Sequence, residues 1–116
     1  MKELLPNPKR LSSASTARTY PVAAEKLART VEEAVGELPG WTLAGSSETE
    51  VRAFHKSRFP GLTHEVMVRL TPSPAGAHTN TQAEFRSASR IGLLELGQNK
   101  RNLDELMAEI YRKLTG

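Results

Sequence analysis

The sequence predicts a two-layer α+β domain, in which two helices cover one face of an antiparallel sheet. Two segments carry apolar residues at steps of three and four, one after Pro21 and one at the end of the chain, and this is the period of an amphipathic helix. The segments between them alternate apolar and polar residues, as half-buried strands do. The predicted order is α-β-β-β-β-α, a four-stranded meander sheet with both helices on one face.

The first helix is the clearest element. Its apolar face consists of Ala24, Leu27, Ala28, Val31, Ala34, Val35 and Leu38. Pro21 suits the first helical turn, where its missing N–H is not needed, and Pro39 with Gly40 ends the helix. Residues 1–20 have two prolines, a serine-rich run and no apolar period, so we expect an extended N-terminal arm there and a single α+β domain over residues 21–116.

The central segments read as four antiparallel strands. The first starts at Trp41 and is followed, after a polar turn over residues 45–49, by the second strand. Parity places three groups on the buried side of the sheet, one each from the second, third and fourth strands. These groups are Val51, Ala53 and His55; Val66, Val68 and Leu70; and Thr81, Ala83 and Phe85.

The last helix has an apolar stripe of Leu103, Leu106, Met107, Ile110 and Leu114. Asparagine is a favoured N-cap residue, so Asn99 or Asn102 is expected to cap this helix. Asn102 with Glu105 three positions later resembles a capping box.

Composition excludes several functional classes. The chain has 116 residues, which suits one domain, and no cysteine, which excludes disulfides, a thiolate nucleophile and cysteine-ligated metals. No apolar run reaches the length of a transmembrane segment, and the first ten residues do not resemble a signal peptide. We therefore expect a cytoplasmic protein.

Positive charge is concentrated in two places. The net charge is +3, yet residues 1–20 and residues 86–101 each carry four basic residues and one acid. The rest of the chain is consequently mildly acidic, so attraction for anions is expected to be local.

Residues 86–101, RSASRIGLLELGQNKR, are the best candidate for a binding site. Two arginines share one strand face, two serines face the other way, and a helix start with free N–H groups and further basic residues follows. Such a junction suits a phosphate or carboxylate. The predicted ligand-binding residues are Arg86, Ser87, Ser89, Arg90, Asn99, Lys100 and Arg101.

The same charges have a structural alternative. The two arginines can instead brace the strand end against acids such as Glu65, Glu84 or Glu95, and the glycines can serve only the turn. Exposed ion pairs of this kind contribute only about 0–1 kcal/mol.

This segment is similar to the signature of a bacterial family called domain of unknown function 1499: a serine-rich strand ending in S-R-x-G, then an acid, a glycine, an asparagine and basic residues. The resemblance extends more weakly through the helix after Pro21, the strand at Trp41 and the strand beginning at His64. It implies the predicted fold and a role for residues 86–101, and it supplies no reaction. The matching positions are Arg86, Ser87, Ser89, Arg90, Gly92, Glu95, Gly97, Asn99 and Arg101.

No cofactor and no metal are predicted. His55, His64 and His78 lack a ligand spacing, and neither a P-loop nor a dinucleotide fingerprint is present. A small enzyme would have to use Glu65 or Glu95 with Ser87 or Ser89, without the G-x-S-x-G motif of hydrolases.

The leading interpretation is therefore a non-enzymatic binding or interaction domain for a small anionic ligand or a protein partner. Nucleic-acid binding through the basic arm and patch is the alternative, which the small number of aromatic residues disfavours. The sequence leaves the oligomeric state open, because an edge strand can pair with a second copy.

Overall fold

The computed structural model describes residues 12–56, 63–73, 79–89 and 97–116, which form five strands and two helices. All five strands belong to one antiparallel sheet of order β1-β5-β4-β3-β2, and both helices pack on the sheet. This confirms the α+β class. The elements are β1 Ser12–Tyr20, α1 Ala24–Glu37, β2 Trp41–Ser46, β3 Glu50–Lys56, β4 Thr63–Pro72, β5 Thr81–Ser89 and α2 Gln98–Thr115.

The sheet has five strands and not the four predicted from the sequence, because β1 pairs with β5 over its whole length. The register runs from Ser12 opposite Ser89 to Tyr20 opposite Thr81. β1 lies at the edge of the sheet and exposes nearly all its side chains, so it lacks the apolar alternation by which a strand is recognised. The predicted extended arm thus contributes a strand, and its residues 1–11 lie outside the described residues.

Helix α1 buries the predicted apolar face, including Leu27, Val31 and Val35. It begins at Ala24, later than the position predicted from Pro21. After the helix, Gly40 has φ of 84°, a left-handed conformation that glycine adopts without strain. A Cβ at Gly40 would lie 3.2 Å from the carbonyl oxygen of Lys56, so glycine also permits the chain to pass close to β3.

The central strands bury alternate residues, as predicted, and these residues face the two helices. The resulting core joins both helices to the sheet. Its largest fully buried apolar side chains are Phe85, Leu27, Leu70, Leu106, Ile110, Val31, Val35, Val51, Val66 and Val68.

Helix α2 is capped differently from the prediction. Gly97 is the N-cap residue and has the left-handed φ of 79°. Asn99 and Asn102, the two predicted caps, are inside the helix and are buried. They lie three residues apart on one face of the helix, and both contact Ser87 of β5, so their side chains face the sheet.

Neither of the two described helices packs on the opposite face of the sheet, which carries charges of both signs. Its exposed basic residues alternate with acidic ones across the strands: for example, Glu84 of β5 lies opposite Arg69 of β4, which lies opposite Glu50 of β3. Within the described part of the chain, neither helix combines the length and the apolar character needed to cross a membrane.

Candidate functional site

A buried hydrogen-bond cluster joins the end of β5 to the start of α2. The Ser87 hydroxyl donates to Oδ1 of Asn99 at 2.7 Å and accepts from Nδ2 of Asn102 at 3.2 Å. All three side chains are at most 1% exposed. Since the hydroxyl is used as donor and as acceptor, Ser87 fixes how α2 sits over β5.

The cluster continues outward along α2. The Gln98 side chain donates from Nε2 to Oδ1 of Asn102 at 2.7 Å, and its Oε1 accepts from Nη2 of Arg101 at 3.0 Å. Arg101 is exposed. A continuous chain of hydrogen bonds therefore runs from the buried Ser87 hydroxyl to a guanidinium at the surface.

Lys100 lies on another side of α2. Its ammonium pairs with the Asp104 carboxylate at 3.0 Å, and both side chains are largely exposed. The two residues line a groove of about 410 Å³ between α2 and β1, with Leu103 and Met107 in its wall.

A row of polar and aromatic side chains crosses the helix-facing side of the sheet one step beyond Ser87. Ser89 of β5 lies opposite His64 of β4, His64 opposite His55 of β3, and His55 opposite Trp41 of β2. The ring centroids of the two histidines are 5.9 Å apart, and those of Trp41 and His55 are 5.1 Å apart. All four residues are buried.

Helix α2 places one carboxylate against this row. The indole N–H of Trp41 donates to Oε1 of Glu105 at 2.9 Å. Burial lowers the pKa of His55 below its usual value; the charge of Glu105 opposes this by raising the pKa, and His64 lowers it further. Burial is the largest of these effects, so the neutral form of His55 is favoured.

Two polar atoms of this row have no hydrogen-bond partner within the described part of the chain. They are the Ser89 hydroxyl and Nδ1 of His55. Buried polar atoms are normally paired, so each is a place where a ligand atom or a water molecule would be stabilising.

The structure divides the predicted site. Ser87, Ser89 and Asn99 are buried on the helix-facing side of the sheet, whereas Arg86 is exposed on strand β5 with the opposite parity. Arg86 forms no ion pair with any described residue, so the predicted brace to acids is not seen for it. Lys100 and Arg101 are exposed on α2. Arg90 lies outside the described residues.

The described residues considered for catalysis lie on opposite faces of the sheet. Glu65 is exposed opposite Ala88 of β5, on the face away from Ser87 and Ser89. Glu95 and His78 lie outside the described residues. Among the residues that the structure describes, no three histidine or acidic side chains are grouped as a metal site requires.

Sequence reasoning missed Asn102, Glu105 and Trp41 as members of the site. Asn102 was assigned to the cap, and Trp41 only to a strand. The burial of His55 agrees with the sequence analysis, which placed it on the same face as Val51 and Ala53.

The fold and the buried cluster define a class of small α+β domain, with an antiparallel sheet, two helices on one face, and a polar end to the core. The chain belongs to the family "Protein of unknown function (DUF1499)", whose model matches residues 2–110. A comparison with curated proteins finds no significant match.

Several solved structures share the fold. Protein MLL2253 from Mesorhizobium loti superimposes with a TM-score of 0.63 at 14% identity, over 90% of this chain and 97% of that protein. Mll3558 from Rhizobium loti gives a TM-score of 0.54 at 14% identity, over 87% of this chain and 95% of that protein. CalU16 from Micromonospora echinospora gives a TM-score of 0.51 at 13% identity, over 89% of this chain and 78% of that protein. At these identities the similarity shows the fold alone.

Proposed function

We propose that the protein is a non-enzymatic binding domain that holds a small anionic ligand where β5 meets α2. The observation that carries this proposal is the state of Arg101. Its guanidinium is exposed and is held by the uncharged amide oxygen of Gln98, and it has no acidic partner within the described residues. A guanidinium that is oriented but not neutralised is suited to a carboxylate or phosphate, which it can bind through two parallel hydrogen bonds.

The start of α2 adds to this attraction. The first turn contains no acidic residue, and its N-cap, Gly97, has no side chain to accept a hydrogen bond. Helical hydrogen bonding starts with the N–H of Arg101 bonded to the oxygen of Gly97 at 3.1 Å. Helix N-termini carry partial positive charge, and anions are stabilised there.

Ser89 offers a further donor at the same end of the sheet. It follows Ser87 by two residues, about 7 Å along the strand, and is 2% exposed. A ligand oxygen would satisfy its hydroxyl, which has no partner among the described residues. Ser89 and Arg101 are therefore the proposed contacts, with Arg90 included on the sequence pattern alone. Lys100 is left out because its ammonium is already paired with Asp104. Arg86 is excluded because it lies on the other face.

Thermal unfolding in phosphate, sulfate and acetate tests the proposal, with wild type compared with Arg101→Gln. The matched control is Arg29→Gln, since Arg29 is an exposed helical arginine already paired with Glu25. A ligand at one hundred times its Kd stabilises the folded state by about 2.7 kcal/mol, which raises the Tm of a domain of this size by about 10 °C. We expect the shift in wild type and in Arg29→Gln, and its loss in Arg101→Gln.

Three results would contradict the proposal. The first is the absence of any anion-dependent shift in wild type. The second is an equal loss in both variants, which would indicate non-specific charge screening. The third is stabilisation by short single-stranded DNA alone, with a log-log salt slope of about −0.7 per phosphate, which would favour nucleic-acid binding.

A further inference from the structure

We propose that β1 is the seam of a homodimer, in which the β1 strands of two copies pair antiparallel about Thr16 and join the two sheets. This goes beyond the proposed function and does not depend on it. The occupant of the β1 edge is thus a second copy of this chain.

The two edges of the sheet differ in how well they are protected. β2 has a register shift between Leu43 and Gly45, an irregularity that discourages pairing with another strand. β1 pairs with β5 through nine consecutive positions without a shift, and it contains no proline. Its side chains are small or polar, with Arg18 as the one charge in SSASTARTY. In the described residues its outer side has no neighbouring strand.

The sequence of β1 is compatible with pairing to itself. Thr16 is the central residue of Ser12–Tyr20, so a two-fold axis there places Thr16 opposite its own copy and Arg18 opposite Ala14. Threonine pairs are favourable across antiparallel strands. The two Arg18 residues would be separated by four positions along the seam, about 14 Å, which exceeds the Debye length of about 8 Å in physiological salt.

The position of α2 also allows the helix layers of the two copies to meet. α2 packs over both β1 and β5. An axis midway between these two strands would lie half a strand spacing inside β1. With strands about 4.8 Å apart, the axes of α2 in the two copies would be about 10 Å apart. Helices pack against one another at 8–10 Å. The two-fold axis also makes these helices antiparallel, which opposes their dipoles favourably.

The groove between α2 and β1 forms the surface that α2 would present to its copy. Its strand side has the small residues Ala14 and Thr16, and its helix side has the exposed ion pair of Lys100 with Asp104 beside the buried Leu103 and Met107. Tyr111, one turn beyond Met107 on the same stripe, is 67% exposed. The small strand residues beneath the groove leave room for the side chains of a second α2.

The area of this seam is sufficient for a specific contact. β1 supplies nine residues. With a helix stripe added, and at the roughly 30–40 Å² per residue that typical interfaces bury, two copies would cover about 1,000 Å². This is near the lower limit for a specific interface, so the dimer should dissociate on dilution.

Sedimentation equilibrium over a concentration series tests the dimer. The chain has a mass of 12.7 kDa, and wild type should approach twice this value as concentration rises. Thr16→Lys and Thr16→Glu each place two like charges face to face at the axis, so each variant alone should remain monomeric. An equimolar mixture should restore the dimer, because lysine then faces glutamate. Thr42→Lys, on the other edge strand, is the matched control and should dimerise as wild type does.

Mixing the two Thr16 variants tests whether the interface lies at β1 itself. Circular dichroism of each variant checks that the exposed substitution leaves the fold intact. Wild type that stays monomeric at every concentration overturns the proposal. A dimer that survives in both Thr16 variants, or one that Thr42→Lys disrupts, also overturns it, because the interface would then lie elsewhere.

Discussion

Replacing Ser87 with alanine removes the hydroxyl that joins the end of β5 to the first two turns of α2. The substitution changes no charge and removes one oxygen atom. It breaks the hydrogen bonds to Asn99 and Asn102, both within the buried cluster. Because Ser87 is fully buried, water cannot readily replace the missing oxygen.

The expected cost follows from these two contacts. A net hydrogen bond contributes about 0.5–1.5 kcal/mol, and a buried group left without its partner costs about 1–3 kcal/mol. The Oδ1 atom of Asn102 keeps its bond to Gln98, which holds that amide in place and limits its adjustment. We therefore expect Ser87→Ala to lower the free energy of unfolding by about 2–4 kcal/mol, a large fraction of the 5–15 kcal/mol typical of a domain.

Urea denaturation followed by circular dichroism measures this loss, with Ser15→Ala on the exposed side of β1 as control. The control should change stability by less than about 0.5 kcal/mol. A double-mutant cycle with Asn102→Ala should then give a coupling energy of about 1 kcal/mol. If Ser87→Ala is as mild as the control, or if the cycle shows no coupling, the cluster does not hold α2 in place and the reasoning fails.

Three further outcomes are expected. Burial lowers the pKa of His55, so the unfolded chain binds more protons than the folded one as pH falls through about 6.5. The contribution of His55 to stability is therefore fully present above about pH 6.5 and is lost as pH decreases below it. His55→Leu should reduce this pH dependence of the free energy of unfolding, measured by urea titration at a series of pH values. Trp41→Phe loses the bond to the Glu105 carboxylate and should cost about 1–2 kcal/mol by the same measurement. Gly97→Ala should destabilise the protein by about 1 kcal/mol and lower its Tm, because Gly97 has a left-handed φ of 79°. Gly36→Ala should stabilise it by about 0.5 kcal/mol and raise its Tm, because alanine favours the helix and no atom lies within 4 Å of the added Cβ.

The elements recognised in the sequence were those that bury one apolar face. Leu27 and Val31 follow the helical period, and Val66 and Val68 follow the strand period, because each must reach the same core. β1 contributes Tyr20 and part of Ala14 to that core and exposes its other described side chains. Backbone pairing to β5 holds it, and every residue type in SSASTARTY can supply backbone groups, so its strand character leaves no mark in the side-chain pattern.

The structure separates the residues that the sequence grouped as one site. Strand parity in the sequence already places Arg86 and Ser87 on opposite faces of β5. Treating them as one site would require a ligand that contacts both faces of the sheet. Asn99 and Asn102 were assigned to the cap because asparagine favours that position. Gly97 takes the cap instead, and the two asparagines, three residues apart on one helix face, both contact Ser87 of the sheet.

The polar end of the core explains how a helix with a simple apolar stripe finds one position on the sheet. Leu103, Leu106 and Ile110 would still meet apolar partners if α2 slid along the sheet by one turn, since residues three and four apart lie on the same face. The hydroxyl of Ser87 allows no such shift, because a displaced helix would bury it without partners. Polar groups that specify register in this way also determine what lies at the surface. The position of α2 that gives the Ser87 hydroxyl its partners also places Gln98 where it orients Arg101. The internal cluster and the proposed anion site therefore depend on the same position of α2.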